Sequence, residues 1–326
     1  MRFRFLSALT MTWLTACAIP LTSAHAADSY PNRPIRLVVG FSSGGSTDQA
    51  ARLLARSMSE QLGQPVVIDN RAGAGGGIAL QHVATAPADG YTLIMLTASS
   101  TTLGLTRKVP FDVEKDFAPV GLTAIGPMIL TVGSSLKIRS VSELIELAKA
   151  KPGQLSYGTS GVGTPSHLAG VLLDQIAHIN TIHVPFKGSS ENVISTAAGD
   201  VTMSFPDALS SVSMLQTGRT VALGVTTAKR ASFLPSIPTL DESGLKGLVL
   251  PLWFGIAAPA NTPPGIIAKL HAAIDKTVNA PGIKESMNKL GLDPERSTPE
   301  EFRDFIRDQI EINARLIKAS GMQVEK

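Results

Sequence analysis

A short segment rich in glycine and serine, residues 40–48, constrains the fold of this chain more than any other part of the sequence. It follows an apolar run, residues 35–39, that is typical of a buried parallel strand. It precedes residues 49–62, where apolar side chains recur at every fourth position, as they do on one face of a helix. The sequence therefore predicts a strand, a tight turn and the N-terminus of a helix.

The predicted helix has recognisable ends. Ser46 and Gln49 have the spacing of a capping box at its N-terminus, and Gly63 fits the position just after its last turn. The first N–H groups of a helix have no acceptor within it, and the helix dipole makes that end partly positive. A turn of this kind is suited to binding an anion. The alternative is a turn that only connects a strand to a helix.

The residues of this turn indicate which anion it would bind. Gly40, Gly45 and Thr47 agree with the phosphate-binding pattern G-x-x-x-x-G-K-[ST], but Ser46 occupies the lysine position. A nucleotide would lack its main counter-ion here, whereas uncharged N–H donors suit a carboxylate. A second glycine-rich segment, residues 73–78, has isoleucine where G-x-G-x-x-G needs its last glycine, so it favours close backbone packing over dinucleotide binding.

The N-terminal segment has the pattern of a secretory signal peptide. Two arginines precede an apolar run, residues 5–21, and residues 24–26 form an A-x-A cleavage site. We expect cleavage after Ala26, which makes residues 1–26 a signal peptide and places the mature protein in the periplasm. The alternative is a lipobox that ends at Cys17, which would leave a lipidated cysteine at the mature N-terminus.

The composition excludes several classes of protein. The formal net charge is +3 without a cluster of five or six basic residues, so the electrostatic pattern of nucleic-acid binding is absent from the sequence. Cys17 is the only cysteine, so no disulfide is expected. After the leader, no run of residues reaches the roughly 20 apolar positions of a membrane span. A length of 326 residues is sufficient for two domains.

The strand–turn–helix pattern occurs again further along the chain. A strand at residues 155–157 precedes a second glycine-rich turn, residues 158–167, in which Thr164 and Pro165 fit the N-cap and first helical positions. A third copy spans residues 182–190. Strands that alternate with helices in this way predict parallel sheets with right-handed crossovers. We expect the later turns to face the first one as a second anion site.

Seven short motifs occur along the chain in one order. They are YPNRPIRLVV (30–39), GGSTD (44–48), NRAGAGG (70–76), ADGYTL (88–93), VPFKG (184–188), PT (238–239) and the segment from WFG to APANTP (253–263). The set resembles that of the Bug family, the TctC-like substrate-binding proteins of tripartite tricarboxylate transporters in Gram-negative bacteria. The resemblance covers essentially the whole chain after the leader.

The resemblance implies an α/β fold of the type II periplasmic binding protein class. Two lobes, each a mainly parallel sheet flanked by helices, would be joined by two crossover connections. We expect residues 27–123 and 227–326 to form domain 1 and residues 124–226 to form domain 2. The implied function is capture of a small carboxylate (a di- or tricarboxylate, an acidic amino acid or an aromatic acid) and its delivery to the permease subunits of a tripartite tricarboxylate transporter. We expect a monomer without cofactor, metal or catalytic residues.

Carried over by position, the resemblance also implies which residues hold the carboxylate. Serine at positions 42 and 43, where the family often has proline, and Ser204-Phe205-Pro206, where Met-Phe-Asp is common, put the identity of the ligand in doubt. The expected ligand-binding residues lie in the three turns and before the next helix. They are Phe41, Ser42, Ser43, Gly44, Gly45, Ser46, Thr47, Asp48, Thr159, Ser160, Gly161, Gly163, Thr164, His167, Gly188, Ser189, Phe205 and Asp207.

Several of these side chains have a structural alternative. Asp48 either complements the helix dipole or contacts the ligand through water. His167 either caps and packs the second turn or donates to the ligand, and Asp207 either orients a ligand group or is a solvated residue at a helix start. His178 and His183 lie outside the turns, and we expect ordinary structural roles for both.

A secreted hydrolase is the alternative from a different class of protein. Ser46 or Ser160, with His167 and Asp207, would form a catalytic triad by residue type, although residues 158–162 lack the last glycine of G-x-S-x-G. The arrangement of these side chains in space decides this alternative. Another possibility keeps the cleft but has the ligand-bound protein signal to a membrane sensor.

Overall fold

The computed structural model describes residues 30–320. The predicted signal peptide, its cleavage after Ala26 and the alternative lipidation of Cys17 lie outside the described residues and stay predictions. Within the described range, no helix is both long and apolar enough to cross a membrane.

Eleven strands are present in the described part of the chain. They are β1 (Ile35–Val39), β2 (Val66–Asn70), β3 (Thr92–Thr97), β4 (Phe117–Gly126), β5 (Ile129–Gly133), β6 (Ser156–Thr159), β7 (Ile182–Pro185), β8 (Met203–Ser204), β9 (Thr220–Val225), β10 (Leu252–Pro259) and β11 (Asp293–Pro294).

The helices occupy the segments between the strands and the end of the chain. They are α1 (Ser46–Leu62), α2 (Gly77–Ala84), α3 (Ser100–Thr106), α4 (Val141–Ala150), α5 (Pro165–Ala177), α6 (Ser189–Ala198), α7 (Ala208–Gln216), α8 (Pro264–Val278), α9 (Ile283–Lys289) and α10 (Pro299–Ser320). Gly63 ends α1 in a left-handed conformation, as predicted, and its N–H donates to the carbonyl of Ser59.

The strands form two sheets with the same internal order, and each sheet belongs to one lobe. The first sheet has the order β2-β1-β3-β10-β4-β11 and the second has β7-β6-β8-β5-β9. β1 pairs in parallel with β2 and β3, and β6 pairs in parallel with β7 and β8. The strand that arrives from the other lobe, β10 or β5, is inserted antiparallel beside the third strand. Each sheet is therefore mixed: most of its strands run in one direction, β10 or β5 is inserted antiparallel, and β11 at the edge of the first sheet is antiparallel as well.

The chain passes between the sheets twice. β4 ends at Gly126 in the first sheet and β5 begins at Ile129 in the second, so the first crossing takes only two residues. The return runs from the end of β9 at Val225 to the start of β10 at Leu252. These crossings lie close to the predicted domain boundaries, whose positions stay a prediction.

α10 connects the two lobes in a way that the sequence did not predict. Phe302 and Ile306, near its start, belong to the core of the first lobe. Leu316 and Ile317, near its end, belong to the core of the second lobe. An apolar face that continues along 22 residues is long enough to serve both cores. The second lobe is thus held by a helix as well as by the two crossings.

Candidate functional site

A cavity of about 840 Å³ lies between the two sheets. Its walls are the segments that follow the carboxyl ends of β1 and β3 in the first lobe and of β6, β7 and β8 in the second. Open α/β sheets commonly bind ligands at this edge, because loops and helix N-termini converge there. The volume is within the usual range for a small-molecule site.

Most of the predicted site residues line this cavity. Residues of all three predicted turns, and of the segment before α7, lie at the surface of the cavity. Which of them contact a ligand stays a prediction. The lining residues among those predicted are Phe41, Ser42, Gly44, Gly45, Ser46, Thr47, Ser160, Gly163, Thr164, Gly188, Ser189, Phe205 and Asp207.

Five predicted residues do not line the cavity. They are Ser43, Asp48, Thr159, Gly161 and His167. Ser43 is exposed, and its hydroxyl group accepts a hydrogen bond from Arg52 Nη2 at 3.4 Å. The other four make hydrogen bonds within or behind the turns. Their geometry therefore favours support of the turns over direct contact with a ligand.

The first turn is not capped as the sequence predicted. α1 begins at Ser46, so Gly45 occupies the N-cap position, and no side chain accepts a hydrogen bond there. The capping box of Ser46 and Gln49 is therefore not formed, and the Gln49 side chain instead donates to the carbonyl of Gly44. Because the N-cap residue is glycine, no capping side chain covers the first N–H groups of α1.

Asp48 supports the first turn from behind. It is 1% exposed, and its carboxylate accepts hydrogen bonds from Gly44 N at 2.9 Å, Arg52 Nε at 2.8 Å and Asn70 Nδ2 at 2.9 Å. Burial alone would raise the pKa of Asp48, but these donors outweigh it and lower the pKa to about 2. Asp48 is thus an ionised anchor for the turn, which favours the structural alternative.

The second turn is held by its own hydroxyl groups. Ser160 N donates to Ser166 Oγ at 3.0 Å, and Thr164 Oγ1 donates to the Gly161 carbonyl at 2.7 Å. Thr164 occupies the N-cap position and Pro165 the first position of α5, as predicted, although the Thr164 hydroxyl does not cap the helix. These bonds fix the loop without occupying the helix start.

His167 and His183 form a stacked pair behind the second turn. Their ring centroids are 3.8 Å apart and the ring planes differ by 7°. Gly163 N donates to His167 Nδ1 at 3.1 Å, and Thr159 Oγ1 lies 2.7 Å from His183 Nε2. Burial is the main cause that lowers the pKa of both, that of His167 to about 4. Both imidazoles are therefore neutral at pH 7, and His183 contacts a turn that it does not adjoin in sequence.

Asp207 caps the start of α7. Its Oδ1 accepts from Ser210 N at 2.9 Å and its Oδ2 accepts from Ser210 Oγ at 3.2 Å. The carboxylate thus satisfies the beginning of a helix at the wall of the cavity.

Four helices begin at the cavity with N–H groups that have no acceptor among the described residues. A helix cannot satisfy its own first N–H groups. Asp207 accepts from one of them, Ser210 N in α7, and the others named below have no acceptor among residues 30–320. α1 follows the first predicted turn, α5 the second and α6 the third, and α7 begins after β8. The donors are the N–H groups of Ser46, Thr47 and Asp48 in α1, Ser166 and His167 in α5, Ser189, Ser190 and Glu191 in α6, and Ala208 and Leu209 in α7.

The cavity is also lined by residues that the sequence analysis did not assign to the ligand site. Residues 97–99 lie at the end of β3 and just after it, and their small side chains at a strand end were a usable signal. Gly73, Gly75 and Gly76 line the cavity as well. A Cβ added at Gly40 would lie 2.8 Å from the Gly76 Cα, so the backbone approach predicted for this glycine-rich segment is present. Arg107 and Lys187 are the cationic lining residues. Lys187 belongs to the VPFKG motif, whereas no motif of the sequence includes Arg107.

The side chains of the alternative hydrolase do not form a triad in the described structure. Ser160 Oγ lies 3.0 Å from Ser166 Oγ, His167 Nδ1 accepts from a backbone N–H, and Asp207 is occupied by Ser210. No hydrogen bond joins either Ser46 or Ser160 to His167 among residues 30–320. Within the same range, no group of three or more His, Cys, Asp or Glu side chains is arranged to hold a metal ion.

Comparison with known sequences identifies the family. Residues 50–322 match the sequence profile described as "Tripartite tricarboxylate transporter family receptor". The chain is also similar to Protein BugT of Bordetella pertussis, with 34% identity over 302 residues, which is 92% of this chain and 93% of BugT. The chain belongs to this receptor family.

Solved structures of similar proteins have the same fold. The structure described as R. palustris Rpa4515 with adipate has 34% identity and a TM-score of 0.81, and the match covers 90% of this chain and 98% of that one. MatC from Rhodopseudomonas palustris, with bound malate, has 29% identity and a TM-score of 0.77 over 88% of this chain and all of that one. The fold class predicted from the TctC-like resemblance is therefore confirmed.

Replacement of Asp48 by asparagine tests the anchor in the first turn. A pKa of about 2 against an ordinary value of 3.8 corresponds to a stabilisation of about 2 kcal/mol at neutral pH. Because the folded pKa is lowered, this stabilisation is present above pH 3.8 and is lost as the pH falls toward 2. We expect Asp48→Asn to lower the free energy of unfolding by about 2 kcal/mol at pH 7, measured by urea denaturation.

The matched control is Asp200→Asn, which removes the same charge at an exposed position. The control variant is expected to unfold like the wild type. Equal stabilities of the Asp48 and Asp200 variants at pH 7 would contradict the anchoring role.

The buried His167 predicts a dependence of stability on pH. Its pKa is about 4 in the folded protein and 6.5 in its ordinary state, so the unfolded chain binds a proton between these values and the folded chain does not. Stability is therefore complete above pH 6.5 and decreases as the pH falls from 6.5 to 4, by about 3 kcal/mol at most. We expect His167→Gln to flatten this part of the stability–pH curve, measured by thermal unfolding from pH 4 to pH 8.

His178→Asn is the control for this experiment. His178 is exposed and has a φ of 52°, a left-handed conformation that asparagine tolerates. The control should keep the pH dependence of the wild type, and a curve that His167→Gln leaves unchanged would refute the assignment.

Proposed function

We propose that this receptor-family protein captures a small organic carboxylate between its lobes in the periplasm. The observation that carries the proposal is the set of N–H groups without acceptors at four helix starts around one cavity. Hydrogen bonds from N–H groups to a carboxylate are charge-assisted and therefore stronger than those between neutral groups. The positive ends of the helix dipoles add to this preference for an anion.

The ligand would bring the two lobes together. α1 belongs to the first lobe and α5, α6 and α7 to the second, so only a closed arrangement offers both sets of donors to one carboxylate. The lobes touch beside the second turn, where a Cβ added at Gly163 would lie 3.0 Å from Thr106 Cγ2 of α3. Asp48 and the stacked histidines fix the turns before the ligand arrives, so the turns lose little conformational entropy on binding.

The family relatives support the class of ligand and the destination. Rpa4515 and MatC were solved with adipate and malate, both dicarboxylates. The family profile is that of a transporter receptor. We propose that the ligand is a di- or tricarboxylate, an acidic amino acid or an aromatic acid. The closed protein, as a monomer, would deliver it to the permease subunits of a tripartite tricarboxylate transporter without acting as an enzyme.

A substitution by proline separates the backbone donor from the side chain at the first turn. Ser46 is the first residue of α1, a position where proline is favoured because the helix does not use that N–H. Gly45 has φ −72° and ψ 168°, which suit the residue before a proline. Ser46→Pro therefore removes one donor from the cavity and leaves the hydrogen bonds of α1 intact.

We expect Ser46→Pro to weaken carboxylate binding by about tenfold or more, the usual effect of losing a hydrogen bond to a charged group. Calorimetry with a panel that includes adipate and malate would measure it, with thermal unfolding as the check on folding. Ser46→Ala is the matched control, because it loses the hydroxyl group and keeps the N–H, and its loss should be smaller. Wild-type affinity in the proline variant would contradict the role of the backbone donor.

A further inference from the structure

Arg107 is the charged lining residue whose side chain makes no hydrogen bond or ion pair with residues 30–320. It follows α3 and lines the cavity. Its Nε is buried without a hydrogen-bond partner. No carboxylate among residues 30–320 lies within ion-pair distance of its guanidinium group. A buried donor without a partner is costly, and this one belongs to a residue of the cavity wall, where a ligand can supply the acceptor.

The other charged lining residues differ from Arg107. Lys187 is exposed, so water solvates its ammonium group. Asp207 is occupied at both oxygens by Ser210. Arg107 is half-buried and lies next to Thr106, which contacts the second turn at Gly163. It is therefore the half-buried cation of the cavity wall, one residue along the chain from a contact between the two lobes.

From this geometry we propose that Arg107 pairs with a second acidic group of the ligand and makes the cleft selective for dicarboxylates. The inference rests on the proposed function, in which uncharged N–H groups at the helix starts hold one carboxylate. Those donors do not distinguish a monocarboxylate from a dicarboxylate. A guanidinium group can distinguish the two ligands, because its planar donors match a carboxylate. Its charge is neutralised only by a ligand that carries a second carboxylate.

The assignment explains why no carboxylate of residues 30–320 pairs with the Arg107 side chain. An internal carboxylate would neutralise it permanently and remove its preference for a charged ligand. A half-buried cation also binds an anion more strongly than an exposed one, because water screens the pair less. Arg107 would thus select for a second carboxylate, whereas the turns bind the one carboxylate that monoacids and diacids share.

The test varies the number of carboxylates on the ligand and the charge at position 107, and measures the affinity of each combination. Calorimetry would use linear dicarboxylates of four to eight carbons and, for each, the monocarboxylate with the same number of carbons, with wild type, Arg107→Gln and Lys108→Gln. Lys108 is the neighbouring residue, is exposed and does not line the cavity, so its variant removes one positive charge outside the site.

The proposal expects the wild type to bind at least one diacid more tightly than its matched monoacid. Arg107→Gln should weaken diacid binding by about tenfold or more and monoacid binding by about twofold or less, so the preference disappears. Lys108→Gln should keep it. Thermal unfolding without ligand should show no loss of stability in Arg107→Gln, whereas a residue that only supports the fold would lower the transition.

Two results would overturn the proposal in distinguishable ways. If the wild type binds these acids but Arg107→Gln affects diacids and monoacids equally, or neither of them, Arg107 does not read a second carboxylate and the carboxylate site itself stands. If the wild type binds none of these linear acids, the dicarboxylate selectivity assigned to Arg107 fails. The proposed function fails as well only if a tricarboxylate, an acidic amino acid and an aromatic acid also do not bind.

Discussion

The structure depends on one constraint: the first N–H groups of a helix need acceptors that the helix cannot provide. In most proteins, capping side chains or water satisfy them. Here α1, α5, α6 and α7 begin around one cavity, and the N–H groups of residues 46–48 and 189–191 face no acceptor in the described protein. The repeated strand order of the two lobes produces this arrangement, because it places equivalent strand ends on both sides of one cleft.

The turns must keep their shape while their donors stay open. Polar side chains behind the cavity hold the turns in shape. Asp48 accepts a hydrogen bond from Gly44 N, and His167 accepts one from Gly163 N. Asn70 Nδ2 bonds both the Asp48 carboxylate and the carbonyl of Phe41, so it links the end of β2 to the first turn. These side chains bond to the loop backbones and leave the helix starts free. A rigid site of this kind loses little entropy when a ligand binds.

The local pattern of the sequence predicted the glycine turns and the helices after them, because strand, turn and helix signals lie next to one another in the chain. It did not predict β4, whose Gly, Ala and Pro residues in a strand buried on both faces give no alternation. It also missed the capping of α1, since Ser46 begins the helix and Gly45 precedes it. The contact of His183 with the second turn and the place of Arg107 in the cavity depend on pairing across the fold, which no local pattern encodes.

The most direct test of the account observes the backbone donors themselves. Amide proton shifts of the deuterated, ¹⁵N-labelled protein would be recorded with and without a bound carboxylate. An amide that donates to a carboxylate moves downfield, so the account predicts downfield shifts at the starts of α1 and α6, one helix from each lobe, upon binding of one ligand. Shifts confined to a single lobe, or to side chains away from these helix starts, would contradict it.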